Sequence, residues 1–171
     1  MWNQNYKLTK LSAYKENAYK MFYRWYLPPS RLAKMYPNMN LIRWKCKKKK
    51  SIFYHMWWSC PDTQKYWLKI KKWLQEITKV QIELEPELFL LGIFKKKYGR
   101  NIKYIILHIL MATRIAYAQC WKHSSIPPDE LVIQKIMTCA KMDKLTLMLK
   151  EREETKYYKI WGKWRDWIEQ R

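Results

Sequence analysis

Apolar residues recur at helical spacing through most of this chain, and that pattern organises everything else. From Tyr6 to Tyr26, Leu8, Leu11, Tyr14, Ala18, Phe22 and Trp25 fall three or four apart, while Lys7, Lys10, Lys15 and Lys20 lie mostly off the stripe. This predicts an amphipathic helix with one apolar and one basic face. Leu27-Pro28-Pro29 should end it, because proline neither donates a backbone hydrogen bond nor fits a helix interior. Ser30 is then placed to cap a short helical turn over Arg31 to Tyr36, closed by Pro37-Asn38.

Farther along, Tyr66, Trp67, Ile70, Trp73, Leu74 and Ile77 predict a helix from about Pro61 to Lys79, with Ser59 or Cys60 at its cap. Gln81 to Phe94 alternates at first and contains Pro86, so it reads as an extended connector tucked against the core. A long helix from Asn101 to about Lys122 is apolar on nearly all sides, which marks it as the central core element. Within it, Arg114 is expected to reach a carboxylate or a phosphate, and His108 to be a satisfied core histidine. Ile126-Pro127-Pro128-Asp129 breaks the chain and caps a helix to about Lys141, with an interruption expected at 141–144. The tail from Glu154 to Gln170 places Tyr157, Trp161, Trp164 and Ile168 on one face of a final helix.

Between these helices lie two short apolar or aromatic runs, Leu41 to Cys46 and Ser51 to Tyr54, on either side of a lysine block. They suggest a small hairpin with lysines at its tip. The predicted fold class is thus mainly α: an irregular helical bundle with a knuckle-like hairpin near the N-terminal third. Three segments follow from it: a basic amphipathic helix and linker over 1–40, a Cys/His knuckle over 41–67, and a helical domain over 68–171.

Charge sharpens the picture. The 35 Lys and Arg against 14 Asp and Glu give a formal net charge of +21 in 171 residues, more than solubility requires. Residues 1–60 carry 13 of the basic side chains and a single acid, Glu16. Such an excess implies a polyanionic partner, nucleic acid ahead of an anionic membrane surface. The most apolar segment, Tyr104 to Ala118, is broken by His108 and Arg114 and is too short to span a bilayer. No membrane partner is expected. The four cysteines follow no secreted disulfide pattern and no signal peptide opens the chain, so an intracellular location, cytoplasmic or nuclear, is expected.

One stretch, Arg43 to Trp67, gathers soft metal ligands (Cys46, His55, Cys60), a lysine block and stacking surfaces. Lysine and arginine neutralise phosphates, and aromatic rings stack on unpaired bases. The candidate nucleic-acid contacts are Arg43, Trp44, Lys45, Lys47, Lys48, Lys49, Lys50 and Tyr54, flanked by Lys20, Arg24 and Arg31. Trp57, Trp58 and Trp67 read instead as core. Cys46 and His55 offer a nucleophile and a base by residue type, but nothing supplies an orienting group or an oxyanion site, and independent catalysis is not expected. No sequence-specific base-reading motif occurs.

The order and spacing of YKMFYRWYLPPSRLAKMYPN, WKC with FYHMWWSC, PELFLLGIF, and MATRIAYAQCWK with IPPDE carry a resemblance. From about Leu8 onward the chain resembles the cysteine-rich C-terminal region of the reverse-transcriptase protein of non-LTR retrotransposons of the long interspersed element (L1) kind. The resemblance implies an accessory region that binds RNA and helps the polymerase act on its template, with single-stranded DNA or an RNA–DNA hybrid as further ligands. The missing polymerase domain is the implied protein partner. Neither an Asp-Asp pair in an aromatic hairpin nor an endonuclease set of His, Asp, Asn and Glu occurs here. The family knuckle places a fourth ligand, a cysteine, three residues before Cys46, where this chain has Arg43. Three soft ligands predict an open or weak site, so no cofactor is expected; zinc is the metal the set would take. The competing expectation is a docking fragment or a relic of a retrotransposon polyprotein, with no activity of its own.

Overall fold

The computed structural model describes residues 11–38, 40, 42, 45–47, 52–149 and 154–171. These form helices α1 (Ser12–Phe22), α2 (Pro29–Met35), α3 (Pro61–Thr78), α4 (Pro86–Leu91), α5 (Arg100–Gln119), α6 (Asp129–Leu149) and α7 (Glu154–Glu169), with a π-helical turn over His55–Ser59. Among the described residues no β-strand forms, and Ile42 makes only an isolated bridge. The chain is mainly α, as its periodicities predict.

α5 is the axis of the bundle: α1, α3, α4, α6 and α7 all pack against it. Its Ile105, Ile106, Ile109, Leu110, Ala112 and Ala116 are essentially inaccessible to solvent. α3 contributes the stripe read from the sequence, Tyr66, Trp67, Ile70, Trp73, Leu74 and Ile77, all buried. Pro61 opens α3 at a position whose N–H would be unsatisfied in any helix, and Lys79 closes it in the left-handed conformation with φ of 57°.

Several polar atoms inside the core are tied to backbone. Trp67 Nε1 donates to the Trp57 carbonyl at 2.7 Å and Tyr66 Oη to that of Thr113 at 2.8 Å. The Tyr117 hydroxyl lies 2.8 Å from Thr63 Oγ1 and donates to the Met56 carbonyl at 2.9 Å. These bonds lock the π-helical turn onto α3 and α5. Trp57, Trp58 and Trp67 are 0%, 7% and 0% exposed, which makes them core, as expected.

Several expectations change. α1 buries Tyr14, Asn17 and Met21 rather than a stripe continuing through Phe22 and Trp25, which are exposed. The reason is its ending. Trp25 N donates to Lys20 O at 2.8 Å and Arg24 N to Met21 O at 3.3 Å, with Arg24 at φ of 51°. This paired cap stops the helix before the prolines and turns Trp25 off the helical face. Ser30 does not cap α2, whose N-cap is Pro28. Asn101 lies inside α5, which begins after Gly99.

The proposed hairpin fails on its second run, because Phe53 and Tyr54 lead helically into the π-helical turn; Leu41, Arg43, Trp44 and Ser51 lie outside the described residues. The extended connector holds a helix, α4, which Pro86 initiates rather than forbids and Gly92 ends at φ of 70°. α6 runs unbroken through 141–144 because Asp143 turns inward onto buried partners.

Candidate nucleic-acid interface and Cys/His cluster

The π-helical turn creates the cluster. Closing each turn with one extra residue lets Cys60 N donate to the His55 carbonyl at 3.1 Å, which draws Cys60 back under His55. Cys46 Sγ lies 3.3 Å from His55 Nε2, and the ligand atoms of Cys46, His55 and Cys60 all fall within 4.8 Å of one another. His55 Nδ1 faces Ser59 Oγ at 3.3 Å. His55 is 8% exposed and Cys60 fully buried, so the cluster faces the protein more than solvent. Three donors of this kind suit a soft cation and leave one coordination position to a further ligand. The position that would carry that ligand, Arg43, lies outside the described residues.

Lys45, adjacent to the cluster, is not an open cation. Its ammonium donates to the carbonyls of Cys120 at 2.6 Å, His123 at 2.8 Å and Ser125 at 2.5 Å, and the residue is 6% exposed. It also sits 5.4 Å from the centre of the Tyr117 ring. The end of α5 carries partial negative charge, so a cation beside the Cys120 carbonyl is favourable, and the loop carbonyls of His123 and Ser125 beyond it gain a charged donor. The sequence reading put Lys45 on the phosphate side; the structure gives it to the core.

The remaining proposed contacts divide. Arg24, Arg31 and Lys47 are exposed, and Tyr54 is 49% exposed. Lys20 is ion-paired to Glu16 at 2.6 Å, and that hydrogen bond holds its ammonium above the usual lysine range. Trp44, Lys48, Lys49 and Lys50 lie outside the described residues.

Residues the sequence reading did not select complete the surface. Tyr19, Phe22, Tyr23 and Trp25 are between 44% and 60% exposed around the C-terminal end of α1. The Tyr19 and Tyr23 rings are 4.5 Å apart, and Phe22 meets Tyr23 edge-on at 5.2 Å. Arg24, also exposed, lies between Tyr23 and Trp25 in the chain. Tyr36, also exposed, follows α2 beside Lys34. The signal was present: Tyr19, Phe22, Tyr23 and Trp25 fall within seven consecutive positions, more than one helical face can bury.

Arg114 meets neither of its expected partners. It is 2% exposed, and its Nη1 donates to the Leu90 carbonyl at 2.6 Å while Nε has no partner among the described residues. Burial pushes its guanidinium down to about 10, and the nearby Tyr26 hydroxyl opposes the shift. His108 is a core histidine, as read: Nδ1 lies 2.9 Å from the Tyr104 carbonyl and Nε2 3.4 Å from Asp143 Oδ1.

The four cysteines are free thiols. No described helix is long and apolar enough to cross a membrane. No protein-family model matches the chain.

Proposed function

We propose that this chain is a non-catalytic, intracellular RNA-binding segment. Its motifs resemble the C-terminal region of an L1-type reverse transcriptase, and its task would be to hold template for a polymerase domain. The observation that carries the reading is the run of exposed rings at the end of α1, Tyr19, Phe22, Tyr23 and Trp25, with the exposed Arg24 between the last two in the chain, in the most basic third of the sequence. Exposed rings stack unpaired bases for about 1–3 kcal/mol each, and the cations supply the salt-dependent attraction to phosphate. In this reading metal is dispensable, because Lys45 and the π-helical turn already anchor the Cys46, His55 and Cys60 segment to the core. Zinc, if taken up, would be held by those three residues.

Fluorescence anisotropy with a labelled single-stranded RNA, and with the same sequence as a duplex, tests the stacking. The single strand is expected to bind more tightly, and Tyr23→Ala and Trp25→Ala each to weaken it about tenfold. Equal affinity for strand and duplex, unchanged by both substitutions, would overturn the reading.

A further inference from the structure

A second surface, remote in sequence from the basic front, has a different chemistry. α6 and α7 enclose a groove of about 320 Å³ whose floor is Trp161, Gly162, Trp164 and Ile168. Trp161 and Trp164 are buried beneath it, so the floor is fixed by the core. A Cβ added at Gly162 would meet nothing within 4 Å. Glycine inside a helix is less favourable than alanine, yet here it keeps the groove open.

The rim is cationic. Lys141, Lys144 and Arg165 line the groove, with no acidic residue among the described lining, and Arg165 also pairs with Glu169 at 3.8 Å. Lys144 stands 5.8 Å and 5.7 Å from the Tyr157 and Tyr158 ring centres, and Arg165 5.8 Å from that of Tyr158, so the cations are spread over the aromatic walls. The apolar path continues along α6: Met137, Lys141, Lys144 and Met148 share one helical face, with the methionines 43% and 59% exposed. Methionine packs adaptably against incoming side chains.

We propose that this groove docks an acidic amphipathic helix of a partner protein, seating an apolar anchor over Gly162 between flanking carboxylates that meet Lys141, Lys144 and Arg165. Charge complementarity sets the partner's sign, and the open apolar path between two helices fits helix-in-groove recognition. A nucleic acid is the poorer match, since the tryptophans of the floor, Trp161 and Trp164, are buried and present no open ring face for a base to stack on.

The test uses the full chain and a synthetic, labelled helical peptide with Leu and Trp at i, i+3, i+4 and i+7 and Glu along the flanks. Its affinity is read by anisotropy against a scrambled peptide of the same composition. Gly162→Leu, which fills the floor and removes a helix-weakening glycine, is expected to keep or raise the melting temperature and weaken the peptide about tenfold. Lys141→Glu with Arg165→Glu is expected to weaken it at least as much. The proposal is overturned if the two peptides bind alike, if Gly162→Leu binds as the parent does, or if single-stranded RNA displaces the peptide from the groove.

Discussion

The Lys45 ammonium lies 2.6 Å from the carbonyl oxygen of Cys120, at the end of α5. Two further carbonyls, of His123 and Ser125, complete its shell. A lysine in a run of lysines thereby becomes a structural cap that joins the Cys/His segment to the central helix. Hydrogen bonds to a buried charge contribute more than neutral ones, so Lys45→Met should lower unfolding stability by about 3 kcal/mol. Lys47→Ala, at an exposed position, should leave stability within about 0.5 kcal/mol and weaken RNA instead. Chemical denaturation paired with RNA titration separates the two lysines.

Arg24 sits in the left-handed region at φ of 51°, where an L side chain is strained and glycine is not. Arg24→Gly should therefore raise stability by about 1 kcal/mol. It should also weaken RNA binding, because a cation leaves the aromatic cluster. Opposite signs in the two measurements are the expected signature, and a loss in both would mean that the Arg24 side chain supports the fold.

Asp143 is 1% exposed and accepts from Tyr104 Oη at 2.7 Å and Trp161 Nε1 at 2.8 Å, with His108 Nε2 at 3.4 Å. Burial alone would raise its carboxyl, but the bonds from His108, Trp161 and Tyr104 prevail and hold it below the usual carboxylate range. A depressed carboxyl contributes stability that is present above its unfolded value of about 3.9 and is lost as pH falls through the lower folded value. Asp143→Asn should thus cost about 2 kcal/mol near neutrality. The variant's deficit should shrink in acid, as urea titrations from neutral pH downward would record.

The ligand atoms of Cys46, His55 and Cys60 lie within 4.8 Å of one another, and the π-helical turn and Lys45 tie their segment to the core; on the proposed reading those ties suffice to hold it. Chelator should leave helicity, melting temperature and RNA affinity unchanged. A fall in melting temperature on chelation, restored by zinc, would show that a metal supports this segment.

The long helices were readable because their buried faces repeat at three and four residues, and the stripe of α3 appears in the structure residue for residue. The turns were not. The stripe of α1 reads through Phe22 and Trp25 in sequence where the structure buries Asn17 and Met21, and the difference depends on a backbone cap that no side-chain pattern encodes. The same limit explains the site. A run of lysines looks uniform in sequence, but only tertiary packing brings the end of α5 to Lys45. The spacing of Cys46, His55 and Cys60 was legible; the π-helical turn that joins them was not.

The most direct test of the central claim is RNA affinity of the whole chain across a salt series, compared with a variant carrying alanine at 47–50. Each phosphate contact on a single strand contributes about 0.7 to the slope of log affinity against log salt. Phosphate contact through these lysines should give a steep slope for the parent, a shallower one for the variant, and residual salt-insensitive affinity removed by Trp25→Ala. Weak binding with a flat slope, unmoved by the lysine substitutions, would contradict it.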